Sequence, residues 1–201
     1  MKGKGLSFEV IVEAALRLTK EKGYGRFSAR ELASDLDVKA ASLYNHLNSM
    51  DEVNAEIGRI AAGMQNRAMR EAAENESRGQ AFTDLCRAFR NFAKENEQLY
   101  RAILDMPSPD RGDAAMTEIS RESDMTFRKV IDRFDLPEAD RINYTRFVRS
   151  LLNGFLQMEM AGVFAGSEVT AEESFGFIIR RQLKMLEEAE MEYLKVLPGG
   201  G

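Results

Sequence analysis

Little in this chain could do covalent or metal chemistry. His46 is the only histidine and Cys86 the only cysteine. A Ser-His-Asp hydrolase or a histidine-rich metal centre would have to be assembled around that one imidazole. Cys86 sits on an apolar helical face with Phe82, Leu85 and Phe89 and reads as packing. Acidic residues are spread along solvated helix faces instead of sharing an apolar setting. Neither a glycine-rich phosphate loop nor a metal-ligand spacing is present. No catalytic residue, metal or cofactor is expected, and the chain does not read as an enzyme. The side chains suited to recognition are crowded into one segment, with Arg30, Lys39-Ala40-Ala41-Ser42 and Tyr44-Asn45-His46. Arginine can reach two acceptors on guanine, lysine suits phosphate or guanine, an alanine methyl can touch thymine, and asparagine can bond adenine.

The elements that must hold these residues are helical. Ser28 through Leu47 reads as two short helices around a tight turn, with Leu32, Ala33, Leu36, Val38 and Leu43 facing inward. Ser28 with Glu31 is a capping-box arrangement that opens the first of them, which runs to about Leu36. The second is expected over residues 40–47 and, pushed outward, can enter a major groove. A helix of that length is not stable alone. It needs a platform, which a helix from about Ser7 to Lys22, closed by Gly23, supplies.

Strand alternation is hard to find anywhere, and glycine and proline punctuate the rest at helical intervals. Ser49 with Glu52 opens a fourth helix to about Glu74. Others follow over about 79–94, 97–105, 114–134 and from Pro137 to Phe164, with a loop at about 106–113. Gly166-Ser167 breaks the eighth, and Thr170 with Glu173 caps a ninth to about Leu194. The expected fold is all-α with about nine helices. Residues 1–50 form a three-helix helix-turn-helix domain, 51–75 a connecting helix, 76–197 a larger ligand-binding and dimerisation domain, and 198–201 a frayed tail.

The bulk numbers agree with such a chain. Over 201 residues, 44% hydrophobic and 30% charged content excludes a disordered polymer. No apolar run approaches the roughly 20 residues of a membrane span. Met1-Lys2-Gly3-Lys4-Gly5 lacks the apolar core of a signal peptide, and one cysteine fits a reducing compartment, so a cytoplasmic location is expected. Net charge is −5, but residues 1–50 carry eight basic against six acidic residues, and the remainder 20 against 27. A mildly basic head on an acidic body suits a protein whose head alone meets phosphate.

On Ile11-Val12-Glu13-Ala14-Ala15, Gly23, Phe27-Ser28-Ala29-Arg30-Glu31-Leu32-Ala33, Val38 and Ser42-Leu43-Tyr44-Asn45-His46, the sequence resembles the TetR family of bacterial transcriptional regulators. The resemblance implies an all-helical protein that contacts DNA through its second and third helices. Arg30 matches a family position that reaches a base edge. Lys39, Ala40, Ala41 and Ser42 line the exposed start of the recognition helix, with Asn45 beside Tyr44 and His46, the family's phosphate-facing pair. Phosphate contacts position and base contacts specify. Two residues depart from the family pattern: Asp37 stands for a turn glycine, and Met50 for a lysine that commonly holds phosphate. Leu99-Tyr100 and Leu152-Asn153-Gly154-Phe155 resemble a subgroup whose C-terminal domain is named for a Trp-His-Gly motif, of which only Gly154 matches.

Flexible methionines among aromatics in the C-terminal half, Met116 and Met125 included, suit an adaptable apolar cavity. An apolar or aromatic effector of unspecified identity is expected near Phe89, Tyr100, Ile103, Leu104, Phe127, Phe155 and Met158. The eighth and ninth helices carry stripes (Leu151, Phe155, Phe164; Phe175, Ile178, Ile179, Leu183, Leu186) that read as broader than one protomer can bury. They imply a homodimer through a four-helix bundle, matching a pseudo-palindromic operator with two half-sites. The expected function is a ligand-responsive repressor that releases its operator on binding a small molecule. The alternative is a helical interaction or scaffold protein with a degenerate DNA-binding head, favoured by Met50 and the acidic total.

Overall fold

In a computed structural model, residues 5–106 and 114–196 are described. The loop expected at Pro107–Asp113, the side chain of Met116 and the tail from 198 lie outside the described residues. Nine helices are present among them and no strand: α1 (Phe8–Lys22), α2 (Ala29–Asp35), α3 (Ala40–Leu43), α4 (Met50–Ala72), α5 (Arg78–Glu95), α6 (Glu97–Leu104), α7 (Ala114–Ile131), α8 (Glu138–Met160) and α9 (Ala171–Val196). No described helix is long and apolar enough to cross a membrane.

Helix starts follow the capping chemistry. Ser7 accepts the Val10 N–H, and Ser28 and Glu31 exchange both bonds of a capping box. Thr170 and Glu173 do the same for α9. Ahead of α4 the reciprocal half shifts by one residue. Ser49 Oγ accepts the Glu52 N–H at 3.3 Å, but the Glu52 carboxylate turns to the Asn48 N–H at 2.7 Å. Three helices end earlier than their patterns suggest. α7 stops at Ile131, and α3 at Leu43, where the chain tightens into three-residue turns (His46 N–H to Leu43 carbonyl, 2.8 Å). α8 stops at Met160 because Gly162 takes a left-handed φ of 74°, letting the Val163 N–H close back on the Met158 carbonyl.

The residues gather into two compact units: the described residues up to Met64 with those of Phe92–Ser120, and Gln65–Asn91 with those from Arg121 onward. The first has a core of Ile11, Ala15 and Leu18 from α1, Leu32 and Ala33 from α2, Leu43 from α3, and Val53 and Ile57 from α4. Leu99 and Ala102 of α6 complete it, although more than forty positions separate them from Val53 and Ile57 in sequence.

The second unit is held by buried ions and aromatic rings. Arg90, 2% exposed, donates to both oxygens of Glu159 at 2.8 and 2.6 Å and pairs with Glu172. Its guanidinium lies 4.7 Å from the Phe175 ring centroid. Phe155 packs against Phe164 and Phe175 at 4.9 and 5.2 Å. These contacts join α5 to the end of α8 and the start of α9. They also account for much of the stripe that reads as too broad for one protomer. Phe155, Phe175, Ile179 and Leu186 are buried inside the unit, whereas Phe147, Met158, Phe177, Met185 and Met191 remain exposed on α8 and α9.

A second buried carboxylate, Glu190, accepts from Arg78 Nη1 at 2.6 Å and from the Asp135 N–H at 2.7 Å. Burial pushes this carboxyl up, but the two hydrogen bonds and the Arg78 charge outweigh it and leave it below its ordinary 4.5. A carboxylate depressed in the folded state adds stability above its ordinary value and loses it as pH falls through the folded one. Glu190→Gln is therefore expected to lose about 1–2 kcal/mol at pH 7. Urea unfolding should show that gap closing as the pH drops below 4.5.

Candidate nucleic-acid interface

The segment that reads as a recognition element is built from the first core outward. Leu32, Ala33 and Leu43 are fully buried, and Leu36 and Val38 pack partly against them. Within α3 and its following turn, burying Leu43 and Leu47 turns the remaining side chains to solvent. Lys39, Ala41, Tyr44, Asn45 and His46 are exposed, and Ala40 and Ser42 half-buried. Arg30 stands exposed in the first turn of α2. Of the eight expected contact residues, six are exposed and two half-buried, and Arg30, Lys39 and Ala40 line one groove.

The turn between α2 and α3 is closed by three hydrogen bonds: Leu36 N–H to Leu32, Asp37 N–H to Ser34, and Val38 N–H to Ala33 carbonyl at 2.9 Å. That pattern requires a left-handed residue, and Asp37 supplies it with φ 54°, the one non-glycine residue with positive φ among those described. Asp37 and Val38 join Arg30, Ser34, Lys39 and Ala40 in lining an open groove of about 560 Å³. Ser34 is absent from the residues that the sequence pattern singles out, although it lies four residues after Arg30 and so on the same face of α2.

Charge is partitioned on this unit. Arg17 is taken by Asp35 at 2.9 Å and Lys22 by Glu31 at 2.7 Å. Lys22, then Ser28, hold the Glu31 carboxyl down at about 2. Arg30 and Lys39 have no carboxylate partner among the described residues, so their charge is available to an anion. Met50, in the place of a phosphate-binding lysine, opens α4 partly buried against the core. Its side chain is used for packing.

The residues expected to line an effector cavity fall in both units. Tyr100 is fully buried, Ile103 packs partly on the first core and Leu104 is 44% exposed. In the second unit Phe89 meets Phe127 edge to face at 6.0 Å, Phe155 sits in the Arg90 cluster, and Met158 is 46% exposed. Cys86 is fully buried, and burial pushes its thiol up, away from the reactive thiolate. Among the described residues no group of three His, Cys, Asp or Glu is placed to hold a metal.

Comparison with known proteins agrees with this geometry. Residues 11–57 match the family model described as bacterial regulatory proteins, tetR family, and residues 82–182 the tetracyclin repressor-like C-terminal domain. The chain is 28% identical to YobS of Bacillus subtilis (strain 168), an uncharacterized HTH-type transcriptional regulator, over 90% of this chain and 93% of that one. Its fold is similar to the TetR family regulator PfmR from Thermus thermophilus (TM-score 0.62, 23% identity, covering 90% and 97% of the two chains). It is likewise similar to a TetR variant from Acinetobacter baumannii AYE in complex with minocycline (TM-score 0.67, 16% identity, 92% and 98%).

The turn supplies its own test. Asp37→Gly should leave stability within about 0.5 kcal/mol of the parent or slightly above it, whereas Asp37→Val should lose about 1–2 kcal/mol. Thermal unfolding of the two variants would check the pair.

Proposed function

We propose, from the premise that this chain belongs to the TetR family of bacterial transcriptional regulators, that it is a homodimeric repressor whose hold on operator DNA is released by a small molecule. The observation that carries the DNA half of this reading is the unpartnered, exposed set Arg30, Lys39, Tyr44, Asn45 and His46 around a recognition helix whose apolar side is fully consumed by the core. Arg30, Lys39 and Ser42 read base edges, with Ala40 and Ala41 offering methyl contacts, while Tyr44 and His46 grip phosphate and Asn45 serves either. A cytoplasmic location belongs to the same reading.

The dimer and the effector rest on different support. Two heads must meet half-sites about one helical turn apart, which asks for a two-fold partner. The apolar side chains left exposed on α8 and α9, Phe147 and Met158 on one and Phe177 and Met185 on the other, offer a self-complementary surface for a four-helix bundle. The effector reading draws on the minocycline-bound relative and on the aromatic content around Phe89, Phe127 and Phe155. Such a molecule must bind the DNA-incompetent arrangement more tightly than the competent one. An apolar or aromatic compound suits that side-chain chemistry best.

The deciding experiment is selection of bound fragments from the source genome with purified protein, followed by footprinting. A protected pseudo-palindrome with two equivalent half-sites supports the reading, and no enrichment at moderate salt favours a helical scaffold instead. On the selected duplex, Arg30→Ala should cost about 1–3 kcal/mol and relax the choice at one base position. Tyr44→Phe and His46→Ala should weaken selected and scrambled duplexes alike in the same titrations. Sedimentation of Phe177→Glu/Met185→Glu should show a shift from dimer to monomer, with loss of two-site protection.

A further inference from the structure

The link between α1 and α2, residues 23–28, has no regular structure of its own. Its glycines Gly23 and Gly25 both sit at positive φ, 105° and 68°, on either side of Tyr24. What fixes this link is α6. The Tyr24 N–H donates to Gln98 Oε1 at 3.0 Å, and the Tyr24 hydroxyl donates to Asp105 Oδ2 at 2.9 Å. The two acceptors stand at opposite ends of α6, Gln98 in its first turn and Asp105 as its C-cap, seven residues apart and so on one face. Tyr24 lies along that face, with its N–H held near the start of the helix and its hydroxyl just past the end.

The other side of α6 is pressed on α4. A Cβ at Gly58 would stand 2.8 Å from the Ala102 carbonyl and 2.5 Å from the Met106 side chain, so only glycine admits α6 so close. Leu99 and Ala102 are meanwhile sealed into the first core. α6 is therefore wedged between the link that leads into α2 and the helix that follows α3. Three residues after Tyr24 comes Phe27, buried, and then the α2 cap Ser28. A rotation of α2 and α3 about the end of α1 that carries Tyr24 with it breaks one of the two bonds. Burial, with the Asp105 carboxylate beside it, pushes the Tyr24 phenol up, so it remains a donor throughout the neutral range.

We propose that Tyr24 is a positioning residue for DNA reading. Touching no DNA itself, it holds the helix-turn-helix in register with α4 through the hydrogen bonds to Gln98 and Asp105. The inference rests on the operator-binding reading above. Its role is to remove a rocking freedom that the two heads of a dimer would otherwise have to lose on docking to successive half-sites. The bond is charge-assisted but partly solvated, so its effect on affinity is moderate.

The test is a double-mutant cycle in the full-length protein, titrating the duplex that wild-type protein selects. Tyr24→Phe and Asp105→Ala should each weaken binding about 3- to 10-fold, and the double variant should lose no more than the worse single one. Asp105→Asn, whose amide oxygen still accepts, should stay within about twofold, with melting temperatures of all four close to the parent. Wild-type affinity in Tyr24→Phe, additive losses, or losses that track melting temperature would each overturn the proposal. If the wild type selects no duplex, the operator reading has failed, and amide exchange decides the positioning role by itself. Faster exchange in α2 for Tyr24→Phe and Asp105→Ala, but not for Asp105→Asn, supports it, and unchanged exchange refutes it.

Discussion

A four-residue helix has no stability of its own, because forming its first turn fixes several residues for a single hydrogen bond. α3 is such a helix, and the first unit is organised around supplying from outside what α3 lacks. Leu43 is driven into a core shared by α1, α2, α4 and α6, and Leu47 is buried just beyond it. With those two side chains anchored, the intervening residues have one direction left to point. The exposed row of Lys39, Ala41, Tyr44, Asn45 and His46 is a consequence of burying leucine, not of any preference of its own. Asp37 completes the arrangement by accepting a left-handed backbone at the one place where the chain must reverse between α2 and α3.

Electrostatics on this unit works by subtraction. Eight basic residues in the first fifty would make only a weak field beside six acidic ones. Asp35 and Glu31 are committed to Arg17 and Lys22, however, and neither pair is among the residues lining the groove, where Asp37 is the one carboxylate beside Arg30 and Lys39. Arg30 and Lys39, by contrast, line that groove with no carboxylate partner among the described residues. The negative net charge of the whole chain is thus compatible with a DNA reader, since potentials fall off within about 10 Å at ordinary salt.

The second unit solves a different problem, that of joining long helices at a short connection. Arg90 accomplishes it by reaching two glutamates that belong to the end of α8 and the start of α9, with Phe155 and Phe175 beside its guanidinium. A buried guanidinium is tolerable because its donors are taken up by carboxylates in a forked geometry. Glu190 plays the complementary part, a buried carboxylate satisfied by Arg78 and a backbone amide. The Arg90 cluster consumes apolar surface on α8 and α9, Phe155 and Phe175, that the helical pattern alone shows as a continuous stripe.

Helix starts and the family were legible in the sequence, because each is written in neighbours a few residues apart. A serine or threonine three positions before a glutamate is a cap wherever it occurs, and the spacing from Ile11 to His46 is a local pattern. Helix ends were less legible. α3 and α8 stop where hydrogen bonding tightens or a glycine turns left-handed, and those choices depend on what the next segment must reach. What only the tertiary structure decided is which distant residues share a core. Nothing in Leu99, Ala102, Gln98 or Asp105 marks them as partners of α1 and its following turn, since an amphipathic helix shows which face it buries but not against what. Nor could the stripes of α8 and α9 be divided in advance into the half that Arg90 and its rings bury and the half left exposed. Periodicity records that a side chain leaves water, and only packing in three dimensions says where it goes.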